Sequence, residues 1–114
     1  MDTRVFAYVA KLADTGSYAR AARELFITKQ GLASAIERLE RSLNVPLFEA
    51  DHKGVRLTEY GEVFCAFSHA FLDRQKAMNE EIEALRRREE RSVTLAASTG
   101  LFIVITREDV CAFD

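Results

Sequence analysis

Several features are scarce in this chain, and each scarcity excludes something. Among its 114 residues there is one proline, Pro46, and there are five glycines. Long helices can therefore run without a breaker. Two cysteines, Cys65 and Cys111, make neither a disulfide framework nor a metal set, and His52 and His69 lack the spacing to complete one. No metal and no cofactor are expected. No run of eighteen apolar residues occurs, nor a basic leader followed by an apolar segment and cleavage site, so the reading is cytoplasmic, with no membrane partner. A Gly-rich phosphate loop is missing, no nucleophile is paired with a base by motif, and neither histidine has a suggestive neighbour, which argues against an enzyme. An excess of positive charge is also lacking, with a net charge of −2 and a pI near 5.7. Apolar residues make up 48% and charged residues 30%, which suits one small domain with an extension.

What is present centres on Ser17 to Phe48. Between Thr28 and Ser42, Leu32, Ile36, Leu39 and Leu43 recur at spacings of four, three and four, one apolar stripe on a helix. Thr28 stands where its hydroxyl can accept from a first-turn N–H, Asn44 can take the left-handed conformation that closes a helix, and Pro46 forbids continuation. A shorter helix precedes it: Ser17 is an N-cap candidate, and Ala19, Ala21 and Ala22 within Tyr18–Leu25 are small enough to let another helix approach. Joined by Phe26–Thr28, the two form a helix-turn-helix, whose second helix can enter the major groove of double-stranded DNA N-terminus first. The base-edge candidates are then Lys29, Gln30, Ala33 and Ser34. Gln30 can pair bidentately with adenine, Lys29 can reach guanine or a phosphate, the Ala33 methyl can touch a thymine methyl, and Ser34 can serve either strand. Ser17, Thr28 and Arg38 are phosphate candidates.

Ahead of this unit, Thr3–Asp14 carries Val5, Phe6, Val9, Leu12 and Ala13 on one face and ends at Gly16, a core helix. After Pro46, the segments Leu47–Glu49 and Val55–Leu57 around a Gly54 loop read as a hairpin wing, with Lys53 and Arg56 as positioning contacts to the DNA backbone or minor groove. Thr58 then caps a helix over Glu59–Arg91, with Glu59 and Glu62 in its first turn. At about 50 Å it is too long for so small a head to bury. Phe64, Phe67, Phe71, Met78, Ile82 and Leu85 are its candidate dimerisation residues, on a stripe that drifts between heptad and 3.6-residue spacing; the cluster Phe64, Phe67 and Phe71 can alternatively cover the head's own core, which leaves Met78, Ile82 and Leu85 without a partner inside the chain. A two-fold homodimer would set two recognition helices about 34 Å apart on an imperfect inverted repeat.

Charge is distributed in keeping with this. Residues 1–58 hold nine Lys or Arg against seven Asp or Glu, whereas 59–92 hold six against eight. Because salt screens beyond about 8 Å, the local field of the head matters more than the net charge.

The run GSYARAARELFITKQGLASAIERLERSLNVPLFE followed by VRLTEYGE resembles the N-terminal domain of LysR-type transcriptional regulators over Asp2–Arg91. The resemblance rests on Gly16-Ser17-Tyr18, Ala21-Ala22, Leu32, Ile36, Leu39-Glu40, the Val45–Phe48 corner, and Leu57-Thr58 with Gly61. It implies that helix one packs behind the helix-turn-helix and that the linker helix pairs with its copy. Lys29 stands where a glutamine is usual, Ala33 where a serine is common, Ala35 where another glutamine is common, and Ala50 where an arginine often follows the corner, so base preference does not carry over from relatives. Val93–Ala97 resembles the first strand of the effector domain and Ser98–Gly100 the start of its ligand loop, whereas Leu101–Thr106 is a β-branched run that could form a hairpin with it. Nearly all of an effector-binding domain is absent from this sequence.

The expectation is thus a mainly α chain: a winged helix-turn-helix over 1–58, a long dimerisation or linker helix over 59–91, and a short β tail over 92–114. It is read as a sequence-specific DNA-binding regulator acting without an effector. The alternative is an interaction module that forms mixed dimers with a full-length regulator.

Overall fold

The computed structural model describes the backbone of residues 2–99 and the side chains of residues 2–91. In chain order the elements are α1 (Arg4–Thr15), α2 (Tyr18–Glu24), α3 (Lys29–Leu43), β1 (Phe48–Asp51), β2 (Gly54–Leu57) and α4 (Glu59–Thr99). The chain divides after Gln75 into two units.

Within the first unit, each helix ends where its local chemistry requires. Gly16, at φ 68°, closes α1 and returns its N–H to the Leu12 carbonyl. Ser17 is extended, and its Oγ accepts from the Arg20 N–H at 3.2 Å to start α2. Thr28 does the same for α3, its Oγ1 accepting from the Gly31 N–H at 2.9 Å. Asn44, at φ 59°, closes α3 in the left-handed conformation that Asn tolerates well.

The core lies where the three helices meet. Val5, Phe6, Val9 and Leu12 of α1 pack with Ala21 and Ala22 of α2 and with Leu32, Ile36 and Leu39 of α3. The two alanines are buried because the absence of a longer side chain lets the helix backbones close in. On α3 the buried stripe is Leu32, Ala35, Ile36 and Leu39. Leu43, expected as its fourth member, is exposed and does not join the core cluster. The last turn of α3 leads into the corner, and Leu47 and Phe48 supply the apolar contact there instead.

That corner is held by side chains placed far away in sequence. The Glu40 carboxylate accepts from the backbone N–H groups of Leu47 at 2.7 Å and Phe48 at 3.2 Å. Thr58 donates its hydroxyl to the Pro46 carbonyl at 2.6 Å, accepts from the Gly61 N–H at 3.1 Å, and gives its own N–H to the Leu47 carbonyl at 2.9 Å. Thus one threonine caps α4 and ties its start to the corner that follows α3. The strands between are antiparallel, with Phe48 facing Leu57 and Asp51 facing Gly54. They extend beyond the expected segments because backbone pairing, not apolar pattern, sets their ends. Val55 donates to the Gly16 carbonyl at 3.0 Å, which stitches the wing to the α1–α2 connection.

The first part of α4 closes the core. Phe64 and Phe71 are half-buried, with ring centroids 5.7 and 4.3 Å from that of Phe6. Cys65 is buried, and burial pushes its thiol pKa up, which keeps it protonated. Beyond Arg91 the helix continues to Thr99, so Val93–Ala97, expected as a strand, is helical backbone. Extending an existing helix avoids a new nucleation cost, and Leu95, Ala96 and Ala97 are good helix formers. No strand lies beside this segment among the described residues. The expected Leu101–Thr106 strand lies outside them. Among the described residues no helix is long and apolar enough to cross a membrane.

Gly61 is buried where α4 starts, and a Cβ there would collide with the Leu47 carbonyl oxygen and crowd Leu57. Gly61→Ala is expected to destabilise the fold by about 2 kcal/mol, overpacking outweighing the gain in helix propensity. A urea unfolding midpoint at or above wild type would contradict this.

Candidate nucleic-acid interface

Three physical features meet at the N-terminus of α3. Its first-turn N–H groups point outward with no acidic residue in that turn, so the helix presents partial positive charge. Lys29, Gln30 and Ser34 are exposed and Ala33 is half-buried beside them, with Gln30 and Ser34 on the side of α3 away from buried Leu32 and Ile36. Thr28 accepts from Gly31 but retains its hydroxyl proton, which is free to donate to an anion. Ser17 is in the same state at the start of α2. Gly31 completes the arrangement, since a Cβ there would sit 2.9 Å from Thr28 Oγ1.

Arg38 lies on a neighbouring stripe of α3. With Gly31, Ala35 and Ser42 it lines one wall of a groove of about 460 Å³, opposite Asp2, Arg4 and Tyr8 of the α1 side. Arg4 is bound to Asp2 at 2.6 Å, and that pairing holds the Asp2 carboxyl down at about 2. Arg38 has no ion pair among the described residues, which leaves its charge available.

On the wing, the two expected cations differ. Lys53 is exposed, its backbone N–H held by Asp51 Oδ1 at 2.8 Å and its ammonium without an ion pair among the described residues. Arg56 reaches Glu49 at 3.3 Å and Asp51 at 3.5 Å. Such exposed pairs are weak, but here they place two carboxylates beside the guanidinium and cancel its local field. The cross-strand register that pairs Glu49 with Arg56 was not readable before the hairpin was known.

The apolar residues expected to dimerise fall into separate groups. Phe64 and Phe71 lie against Phe6 in the head. Phe67 also meets Phe6, at 5.5 Å, yet is 58% exposed. In the second unit, Met78, Ile82 and Leu85 are exposed. Sequence reasoning passed over Tyr60, which is exposed on the first turn of α4. It also passed over Arg20 and Arg23, exposed on α2 and without ion pairs among the described residues. Their three-residue spacing beside buried Ala21 and Ala22 was a readable signal. Phe26, exposed in the turn, left no such trace.

Three helices with the third presented end-on, beside a two-stranded wing, define a winged helix-turn-helix. The sequence model of the family described as "Bacterial regulatory helix-turn-helix protein, lysR family" matches residues 3–62. The chain belongs to that family, and this head is its DNA-binding domain, not an enzyme. It is 35% identical over 102 residues to the RuBisCO operon transcriptional regulator of Acidithiobacillus ferrooxidans, covering 88% of this chain and 32% of that one. It is 33% identical over 95 residues to the HTH-type regulator YybE of Bacillus subtilis (strain 168), covering 83% and 32%. The chain thus spans about a third of the length of these curated relatives. Among solved structures, the complex of the CbnR DNA-binding domain with DNA matches at TM-score 0.68 and 27% identity, over 75% of this chain and 99% of that one. Full-length OxyR C199D from Pseudomonas aeruginosa matches at 0.69 and 28%, over 74% and 28%.

Removing the Thr28 cap with Thr28→Ala is expected to lower stability by about 1 kcal/mol. An unchanged thermal midpoint would mean that the hydroxyl contributes nothing to starting α3.

Proposed function

We propose that the chain recognises specific DNA sequences as a two-fold dimer and thereby regulates transcription, in the cytoplasm. The observation that carries this is the end of α3: exposed Lys29, Gln30 and Ser34, none held by another side chain among the described residues, on a capped helix with an acid-free first turn. In this reading Gln30 pairs with an adenine, Lys29 with a guanine or phosphate, Ala33 touches a thymine methyl, and Ser34 serves either strand. Ser17, Thr28 and Arg38 hold phosphates and set the register. Lys53 is the wing's main backbone contact, with Arg56 contributing less while its two carboxylates remain paired to it. Acidic neighbours on the wing and the small positive excess of the head imply modest non-specific affinity.

Exposed apolar side chains support association through α4: Met78, Ile82 and Leu85 in the second unit and, separately, Phe67 in the first. Phe64 and Phe71 serve the head's core first and dimerisation only indirectly. A two-fold pair of heads would read an imperfect inverted repeat in successive major grooves. That the structures similar to this chain include a DNA complex of the CbnR domain supports the DNA-binding part of the reading.

Selection of bound duplexes from a random pool at near-physiological salt is expected to enrich a two-fold symmetric motif. No enrichment, with co-purification of a full-length regulator, would favour the mixed-dimer alternative. Gln30→Ala is expected to relax preference at one base position per half-site, costing about 1–3 kcal/mol of discrimination there. Lys53→Ala should weaken all sequences alike and reduce the salt slope by about one. Equal losses on every sequence from both variants would refute this division of roles. Ile82→Asp should shift the chain toward monomer in sedimentation equilibrium while leaving the head's unfolding midpoint unchanged, and an undiminished dimer would remove Ile82 from the interface.

A further inference from the structure

Phe26 lies in the turn between α2 and α3 with φ 59°, and 93% of its surface is exposed. Both features are unfavourable for this residue type. In the left-handed region its Cβ crowds the following carbonyl, a cost that Gly avoids and Asn meets more readily. In water, its ring forgoes the burial that ordinarily stabilises an aromatic side chain. Nothing within the head compensates: Phe26 is not part of the core cluster. The Phe26 N–H donates to the Arg23 carbonyl at 3.3 Å, but asparagine or glycine would supply that bond as well. The benefit of the ring therefore lies outside this chain.

Its surroundings indicate what it meets. Arg20 and Arg23 share the outer face of α2, and Lys29 opens α3 just beyond the turn. All three are exposed, and none forms an ion pair among the described residues. A ring flanked by free cations is complementary to a nucleic-acid backbone, which alternates apolar sugars with anionic phosphates. Thr28 and Lys29, the next residues but one and two, are the phosphate and groove contacts of the DNA-binding reading.

We propose that Phe26 packs against a deoxyribose of the DNA strand whose phosphates engage Arg20, Arg23 and Lys29. The ring adds a component of affinity that depends on neither salt nor base sequence. This assignment rests on the DNA-binding reading above, and the test separates the two.

The full chain is titrated with a duplex carrying the selected motif and with an unrelated duplex, over a range of salt. Phe26→Asn is expected to melt at or above the wild-type temperature, because asparagine accepts the left-handed backbone. It should bind both duplexes about fivefold to tenfold more weakly at every salt concentration, with the wild-type slope of log affinity against log salt. Phe26→Tyr should retain nearly wild-type affinity, and Arg23→Gln should lower the slope by about one. Phe26→Gly provides a second variant compatible with the same backbone and should behave as Phe26→Asn does. Unchanged affinity of both variants on either duplex overturns the proposal. A loss confined to the selected duplex also overturns it, since that would mark a base contact. Failure of the wild-type chain to bind either duplex would instead defeat the DNA-binding reading itself.

Discussion

The Glu40 carboxylate under the Pro46–Phe48 corner governs the arrangement of the head. Two backbone N–H groups, of Leu47 and Phe48, meet one carboxylate where the chain turns, and it accepts from both. A charged acceptor makes these bonds stronger than neutral ones, and loss of the acceptor would strand two donors. Because Glu40 belongs to α3, the bonds fix where the wing begins relative to the recognition helix. Thr58 and Gly61 then seat the start of α4 on the same corner, through hydrogen bonds to Pro46 and Leu47 and through close approach to the backbone. The third helix, the wing and the start of α4 therefore take their relative positions in the head from one short stretch of chain.

The same economy shapes the electrostatics. A head with little excess positive charge can still present a local field if its cations are unpaired where contact is made and paired elsewhere. Lys29, Arg38, Arg20 and Arg23 have no ion pairs among the described residues, whereas Lys11 is spent on Glu24, Arg4 on Asp2 and Arg56 on Glu49 and Asp51. Tyr18 illustrates the opposite influence: burial, with Glu40 and Glu37 nearby, raises its pKa and keeps the phenol neutral.

In α4 one sequence pattern serves two purposes. Phe64 and Phe71 belong to the core through Phe6, while Phe67, on the same helix, remains largely exposed. An apolar stripe records that a helix has something to bury against, not which surface supplies it. Whether a given phenylalanine faces its own core or another molecule depends on the rotation of the helix against α1.

Much of the fold was legible in local chemistry. Ser17, Thr28 and Thr58 as caps, Gly16 and Asn44 as stops, and the Leu32–Ile36–Leu39 stripe depend on neighbours within a turn or two, so residue types and spacing sufficed. The exposed set Lys29, Gln30 and Ser34 followed from the same periodicity. Tertiary structure decided the rest: the exposure of Leu43, the pairing of Arg56 with Glu49 across the wing, the commitment of Phe64 and Phe71 to Phe6, and the left-handed, exposed Phe26. The helical course of Val93–Ala97 likewise departs from the strand that the family resemblance implied, because a growing helix needs no partner whereas a strand does. Local hydrogen bonds and periodicity are encoded within a few residues, but burial, cross-strand pairing and helix rotation arise only when distant segments meet.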